Sequence, residues 1–303
     1  MLPGADVMAG LKVGDIVSRK SYGGDIFFKV VNIKKVGNEN MVTLKGITYR
    51  IEADAPESDL EVQSDKRVKE YTRSINDMVE MKCRQRKSAY QSPIMMRRGY
   101  LKKSYYRNTP NDDSKKFTRT GKVLHIDGDE DYLQTCMNKY KEFGIDAVGE
   151  YVPEKEQPAK VYSLLEKHRP DILVLTGHDG LLKGKDNYQN IDSYRNSKYF
   201  VEAVKEARRY ERDYDGLVIF AGACQSMYND ILAQGANFCS SPYRVLIHAL
   251  DPVMVSQKIA TTSIDNVLNP SDVINSTITG EKGIGGIQTR GKNRNGYPKE
   301  PYN

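Results

Sequence analysis

The sequence contains no tryptophan, and it has four cysteines and four histidines among 303 residues. The cysteines (Cys83, Cys136, Cys224, Cys239) show no CxxC spacing, which excludes a zinc ribbon and disfavours a disulfide scaffold. The histidines (His125, His168, His178, His248) form no HxxxH pair. No run of about 18 apolar residues occurs, so a transmembrane helix is not expected. The N-terminus, MLPGADVMAGLKVGD, lacks the basic start and long apolar stretch of a secretory signal. These absences predict a soluble protein of a reducing compartment, with no metal, no cofactor and no membrane partner.

What is present suffices for a sizeable core: 39% of residues are hydrophobic and 28% charged. The length predicts two domains, or one large domain with an attachment. The net charge of +6 is unevenly spread. Residues 66–119 hold 16 Lys/Arg against 5 Asp/Glu, whereas the flanking regions are slightly acidic. Such a segment is either a solvated linker, punctuated by Pro93, Gly99, Pro110 and Asp112–Asp113, or a surface for polyanions.

Three regions follow from the patterning. Residues 1–65 alternate as short strands: Val13 to Val17, Ile26 to Val31, Met41 to Leu44 and Ile47 to Ile51. Gly23-Gly24, Gly37-Asn38 and Lys45-Gly46 supply the turns, which predicts a small SH3-like β-barrel. Residues 66–119 predict a basic helix over 66–90, with Val68, Ile75, Met78 and Val79 on one side, and then a linker. Residues 120–303 alternate apolar strands with amphipathic helices. The strands are read at 122–127, 145–152, 171–176, 216–220 and 243–250, and the helices at 130–143, after Pro153, within 194–214 and at 226–234. That alternation predicts an α/β domain with a parallel sheet covered on both faces. Gly283-Ile284-Gly285-Gly286 lacks the strand–helix context of a nucleotide loop and reads as a flexible turn.

In such sheets ligands sit beyond the carboxyl ends of the strands. Those ends carry Asp127, Asp129, His178, Cys224 and Asp251. His178 follows DILVLTG and Cys224 follows GLVIFAGA, and glycines flank both. A lone cysteine is ordinarily a small buried hydrophobe. The joint occurrence of both residues at glycine-flanked strand ends favours a thiol nucleophile with an imidazole as its proton acceptor. A helix starting near Gln225 would favour the Cys224 thiolate through its dipole. Backbone amides at Asp179 or Gly180, with that of Cys224, are placed to hold an oxyanion.

These stretches carry a resemblance. An apolar strand before histidine and a second before Ala-Cys are similar to the caspase–gingipain–clostripain cysteine peptidases. GLKVGDIVSRKSYGGDIFFKV, LTGHDG and GACQS together resemble the YabG family of sporulation proteases over essentially the whole chain. The resemblance implies a caspase-like peptidase domain that cleaves spore-coat and germination-related precursor proteins after arginine. It places the protein in the mother-cell cytoplasm, associated with the spore coat. An arginine pocket requires carboxylate. The resemblance implies that it forms at the end of the first strand and after the strand following the cysteine, where Asp127, Asp129 and Asp251 stand. The interposed Asp179 departs from the usual His-Gly, so either amide remains open for the oxyanion.

The other candidates read as structural. His125 and His248 lie in apolar segments, Cys136 shares a helix face with Leu133 and Tyr140, and His168 lies in the last turn of a helix. Cys83 stands without a partner. An arginine-directed protease is expected to cut its own basic segment, at Arg84, Arg86, Arg97, Arg98 or Arg107. The alternative reading is a nucleic-acid or spore-surface binding protein acting through the barrel and basic segment. The absence of interleaved stacking motifs in the barrel disfavours nucleic acid, although Tyr100, Tyr105 and Tyr106 are available. A small-molecule hydrolase or acyltransferase using the same Cys–His pair is a third.

Overall fold

The computed structural model describes residues 10–91, 117–185 and 187–299, with the backbone alone for 83–91. The N-terminal part is a five-stranded antiparallel sheet. Its strands are β1 (Ile16–Arg19), β2 (Phe27–Val36), β3 (Glu39–Gly46), β4 (Glu52–Pro56) and β5 (Leu60–Val62), in the order β4-β3-β2-β1-β5. β4 and β5 lie at opposite edges, yet only residues 57–59 join them. Four Cα steps reach about 15 Å at most, whereas four strand spacings on a flat sheet need about 19 Å. The sheet must therefore curl on itself, around Val17, Phe28, Val30, Val42 and Leu44. The apolar alternation at Ile47–Ile51 is not a strand of this sheet. It forms the β3–β4 loop, and Tyr49 makes an antiparallel bridge to His248 in the second part of the molecule.

Helix α1 (Asp65–Gln91) is the expected basic helix. Of its apolar stripe, Val79 is buried and joins the core of the C-terminal part, whereas Met78 is exposed. Arg84 and Arg86 lie on its backbone, and Arg97, Arg98 and Arg107 lie outside the described residues.

The C-terminal part runs β6 (Phe117–Arg119), β7 (Val123–Asp127), α2 (Glu130–Glu142), β8 (Ala147–Tyr151), α3 (Gln157–His168), β9 (Ile172–Thr176), α4 (Ser197–Tyr210), β10 (Val218–Ala221), α5 (Tyr228–Ala233), β11 (Phe238–Ser240), α6 (Asp251–Thr261), β12 (Val267–Leu268), α7 (Pro270–Ile274), β13 (Ile284–Gly286), β14 (Thr289–Arg290) and β15 (Arg294–Gly296). Its main sheet has the order β13-β11-β10-β9-β7-β8, parallel except for β13. Because strand side chains alternate, each central strand feeds two cores. Ile172, Val174, Val218 and Phe220 pack under α2, α6 and α7. Leu173, Leu175, Ile219 and Ala221 pack under α3 and α4, against Val161, Leu165, Phe200 and Val204.

Two further elements differ from expectation. Residues 243–250 are not a strand. Val245–His248 is a buried or half-buried stretch, followed by a turn at Ala249–Leu250, that pairs with the β3–β4 loop rather than with the sheet. Gly283–Gly286 is no flexible turn, since Ile284–Gly286 is the antiparallel edge strand. A Cβ at Gly286 would meet the Phe238 ring and the Asn237 carbonyl, so β13 packs against β11 at glycine distance.

Candidate active site

The direction of strand addition reverses at β7, which has β8 on one side and β9 on the other. The carboxyl ends of β7 and β9 thus border the crevice where this class of sheet binds ligands. An open cleft of about 480 Å³ lies there, lined by Gly128, Asp129, Glu154, His178 and, from the N-terminal part, Lys45 and Glu52.

Next to it, Asp127 ends β7 and is fully buried. Its carboxylate accepts two hydrogen bonds from Arg50 Nη1, at 2.8 and 3.0 Å, and Arg50 is itself fully buried. Arg50 Nη2 donates to the Ala249 carbonyl and to Cys136 Sγ, both at 3.3 Å. The Tyr132 ring faces the guanidinium at 5.1 Å. Burial alone would raise the Asp127 carboxyl. The Arg50 guanidinium and His125, whose Nε2 is 3.3 Å away, outweigh it and hold the carboxyl down to about 2. The Asp129 N–H also donates to Asp127, at 3.0 Å. The buried space around Asp127 is thus a guanidinium site occupied by the protein's own Arg50.

His178 and Cys224 stand just beyond the carboxyl ends of the adjacent parallel strands β9 and β10. Ala221 pairs with Leu175, so Cys224 and His178 lie equally far beyond the last registered pair. Gly222 precedes the cysteine at φ +104°, where a Cβ would meet Ser240 Oγ, and Gln225 follows it at φ +57°. That left-handed conformation is uncommon for a non-glycine residue and belongs to a tight turn. The turn is held by Gln225 N–H donating to Val245 O and to Ser241 Oγ. α5 begins only at Tyr228 and has six residues, so Cys224 does not lie at a helix N-terminus and gains no dipole assistance. Burial pushes its thiol up to about 12, against the Ile247 N–H, which donates to Sγ at 3.2 Å. Cys224 rests as a protonated thiol.

The imidazole of His178 lies between two carboxylates. Asp129 Oδ2 is 3.5 Å from Nε2, and Glu154 Oε1 is 3.8 Å from Nδ1. The His178 N–H also donates to Glu154 Oε1 at 2.6 Å, which fixes the strand end. Glu154 is raised from its ordinary value, chiefly by burial. Nε2 is buried without a hydrogen-bond partner.

The other expected residues separate. Asp129 caps α2 through Tyr132 N and pairs with Lys45 at 2.7 Å, so it lines the cleft rather than the guanidinium pocket. Asp251 is fully buried and accepts from the N–H groups of His248, Ile278 and Thr279 and from the Thr279 hydroxyl. It organises the loop behind the pocket and does not touch Arg50. The Asp179 carboxylate accepts from Gly180 N, Asn196 N, Ser197 Oγ and Ser226 Oγ. It joins the His178 and Cys224 loops, and it commits the Gly180 N–H.

Two groups of ligand-type side chains occur among the described residues, namely His125/Asp127/Cys136 and Glu52/Asp129/His178. Each already holds a cation of the protein, Arg50 in the first and Lys45 in the second. Arg50, Tyr132 and Glu154 escaped the sequence reading. Arg50 was hidden in an apolar alternation, where only its charge at a buried register marked it.

The sequence profile of the YabG peptidase U57 family matches residues 12–298. The chain is 42% identical over 294 residues to the sporulation-specific protease YabG of Bacillus subtilis (strain 168), covering 95% of this chain and 98% of that one. No solved structure matches. Among the described residues no helix is long and apolar enough to cross a membrane. With the match spanning nearly the whole chain, from the curled sheet to the Cys224 turn, the protein belongs to the YabG peptidase family, the sporulation-specific proteases.

Proposed function

We propose that the protein is a cysteine endopeptidase that cleaves after arginine, with Cys224 as nucleophile, His178 as general base and acid, and Asp127 as the specificity carboxylate. The observation that carries this reading is the buried Arg50–Asp127 pair, a guanidinium seated in a pocket beside a buried cysteine. A guanidinium fork against a fully desolvated carboxylate discriminates arginine from neutral side chains. With the thiol resting protonated, activation needs a proton acceptor at the moment of attack, and His178 on the neighbouring strand end supplies it. The N–H groups of Cys224 and Asp179 form the oxyanion hole, because Gly180 N–H is already engaged.

The domain division follows the same reading: an SH3-like domain at 1–65, a basic connector at 66–119 and a caspase-like peptidase domain at 120–303. The substrates are proteins, namely spore-coat and germination-related precursors met in the mother cell and at the coat. Membership in a protease family weighs against the alternative of a binding protein with an inert α/β part.

The test is cleavage of an unstructured, arginine-containing reporter protein by wild type, Cys224→Ala and His178→Ala, with product masses read by mass spectrometry. Cuts after arginine that vanish in both variants are expected. Cuts that survive Cys224→Ala would overturn the assignment of the nucleophile.

A further inference from the structure

Arg50 does more than fill the pocket, because its backbone lies as a bound peptide would. Thr48–Arg50 runs antiparallel to Ile247–Ala249. Ala249 N–H donates to Thr48 O at 2.8 Å, Arg50 N–H to Ile247 O at 3.3 Å, and Tyr49 bridges His248. Main-chain pairing of an extended segment, with a side chain in a pocket beyond it, is the ordinary way a sheet edge holds a peptide. The same pairing reaches the thiol, because Ile247, whose carbonyl accepts from the Arg50 N–H, donates its own N–H to Cys224 Sγ at 3.2 Å. The pairing ends at Arg50, where the chain turns and Ile51 N–H donates to Tyr49 O at 2.9 Å.

The loop is built to stay there. The Tyr132 hydroxyl lies 2.5 Å from Gly46 O and 2.7 Å from Tyr49 O. A Cβ at Gly46 would strike Tyr49 O, so only glycine permits this turn. Lys45 pairs with Asp129, which faces the His178 imidazole. The loop therefore holds the specificity carboxylate, the thiol and the surroundings of the histidine together. Among the described residues Arg50 is the one buried arginine. Arg84 and Arg86 stand on a helix, a conformation that cannot pair as a strand.

We propose that the Gly46–Ile51 loop is the protease's own first substrate: Arg50 closes the site as its resident arginine until Cys224 cuts the Arg50–Ile51 bond. This rests on the cysteine-peptidase reading above and adds the bond and the regulation. In the reaction, His178 takes the Cys224 proton as sulfur bonds to the Arg50 carbonyl carbon. The C–N bond to Ile51 then breaks, and His178 returns the proton to the Ile51 amine. Water hydrolyses the thioester, one of its protons passing through His178 to the sulfur and the other lost to solvent as the new acid ionises, and leaves an Arg50 carboxylate, a free thiol and a new N-terminus at Ile51.

The test incubates full-length wild type, Cys224→Ala and Arg50→Gln, each alone and with the arginine-containing reporter, and reads all products by mass spectrometry. Gln is too short to reach both Asp127 oxygens, and Arg50→Met replaces it should that variant fail to fold. A chain beginning at Ile51 in wild type, absent from Cys224→Ala, is the expected result, with reporter cleavage rising at least tenfold as that chain accumulates. Wild type that cuts the reporter while its 50–51 bond stays intact overturns the inference and leaves the proposed function standing. So does a wild type that cuts neither reporter nor itself while Arg50→Gln cuts the reporter. Failure of wild type and of the folded Arg50 variant to cut anything overturns the proposed function as well.

Discussion

The Arg50–Asp127 pair makes a quantitative prediction that does not depend on catalysis. In a Cys224→Ala background, where the chain cannot cut itself, Arg50→Met and Asp127→Leu are made singly and together. Both side chains are fully buried, and two hydrogen bonds of 2.8 and 3.0 Å join them. Arg50→Met leaves the Asp127 carboxylate with His125 and the Asp129 N–H alone. Asp127→Leu leaves the guanidinium with a carbonyl and a thiol. Each single change strands a buried charge and is expected to cost about 3–5 kcal/mol. The double change removes both charges and is expected within about 1 kcal/mol of the parent. In thermal melts followed by far-UV circular dichroism, each single variant should fall by roughly 6–20 °C. Acid titration supplies a second reading. The Asp127 carboxyl, held down to about 2 from its ordinary 3.8, contributes stability that is complete above about pH 4 and is lost between pH 4 and pH 2. That contribution is roughly 2 kcal/mol, and Arg50→Met should lack it. Single-variant losses that add within about 0.5 kcal/mol in the double variant would refute the pairing.

Three further outcomes are expected. Cys224, pushed up to about 12 by burial, stays a protonated thiol at pH 8, so iodoacetamide should label it at least about tenfold more slowly than a free cysteine peptide. Peptide mapping checks this, and rapid labelling of the intact chain would contradict the burial. Asp251→Ala removes the acceptor of four hydrogen bonds and should lower stability by about 2–5 kcal/mol, with the preference for arginine over lysine reporters unchanged. A changed preference would return Asp251 to the pocket. Glu154→Gln takes a carboxylate from beside His178 Nδ1 while keeping an acceptor for the His178 N–H, so kcat should fall at least about tenfold while KM and the melting temperature change little. An unchanged kcat would confine Glu154 to holding the strand end.

The peptidase sheet was legible because its strands are short, apolar and separated by amphipathic helices. Lys122–Asp127, Asp171–Thr176 and Gly216–Phe220 overlap β7, β9 and β10 closely. His178 and Cys224 stood out as candidates because glycines flank both just beyond strand ends. Two apolar stretches misled for one shared reason. Ile47–Ile51 and Tyr243–Leu250 have the apolar character of strands, but they pair backbone to backbone with each other across the boundary between the two parts. Ile51 packs on the N-terminal core, and Ile247 and Leu250 in the C-terminal one. Local pattern reports that a side is buried and says nothing of what buries it. Asp127 and Asp251 were indistinguishable as residues after apolar runs. Arg50 separates them, and it is distant from both in sequence.

The curled N-terminal sheet bears on what a break after Arg50 would look like. β3 and β4 flank that bond and share five registered pairs from Met41–Pro56 to Lys45–Glu52, while β1 pairs with both β2 and β5. The two pieces would thus remain interleaved strands of one sheet, and nicking would leave the particle whole. Gel filtration would show an unchanged volume where a denaturing gel shows two chains. Scission and opening then become separate events, and the second is governed by how readily the freed Arg50 end peels away from Ile247 and Ala249.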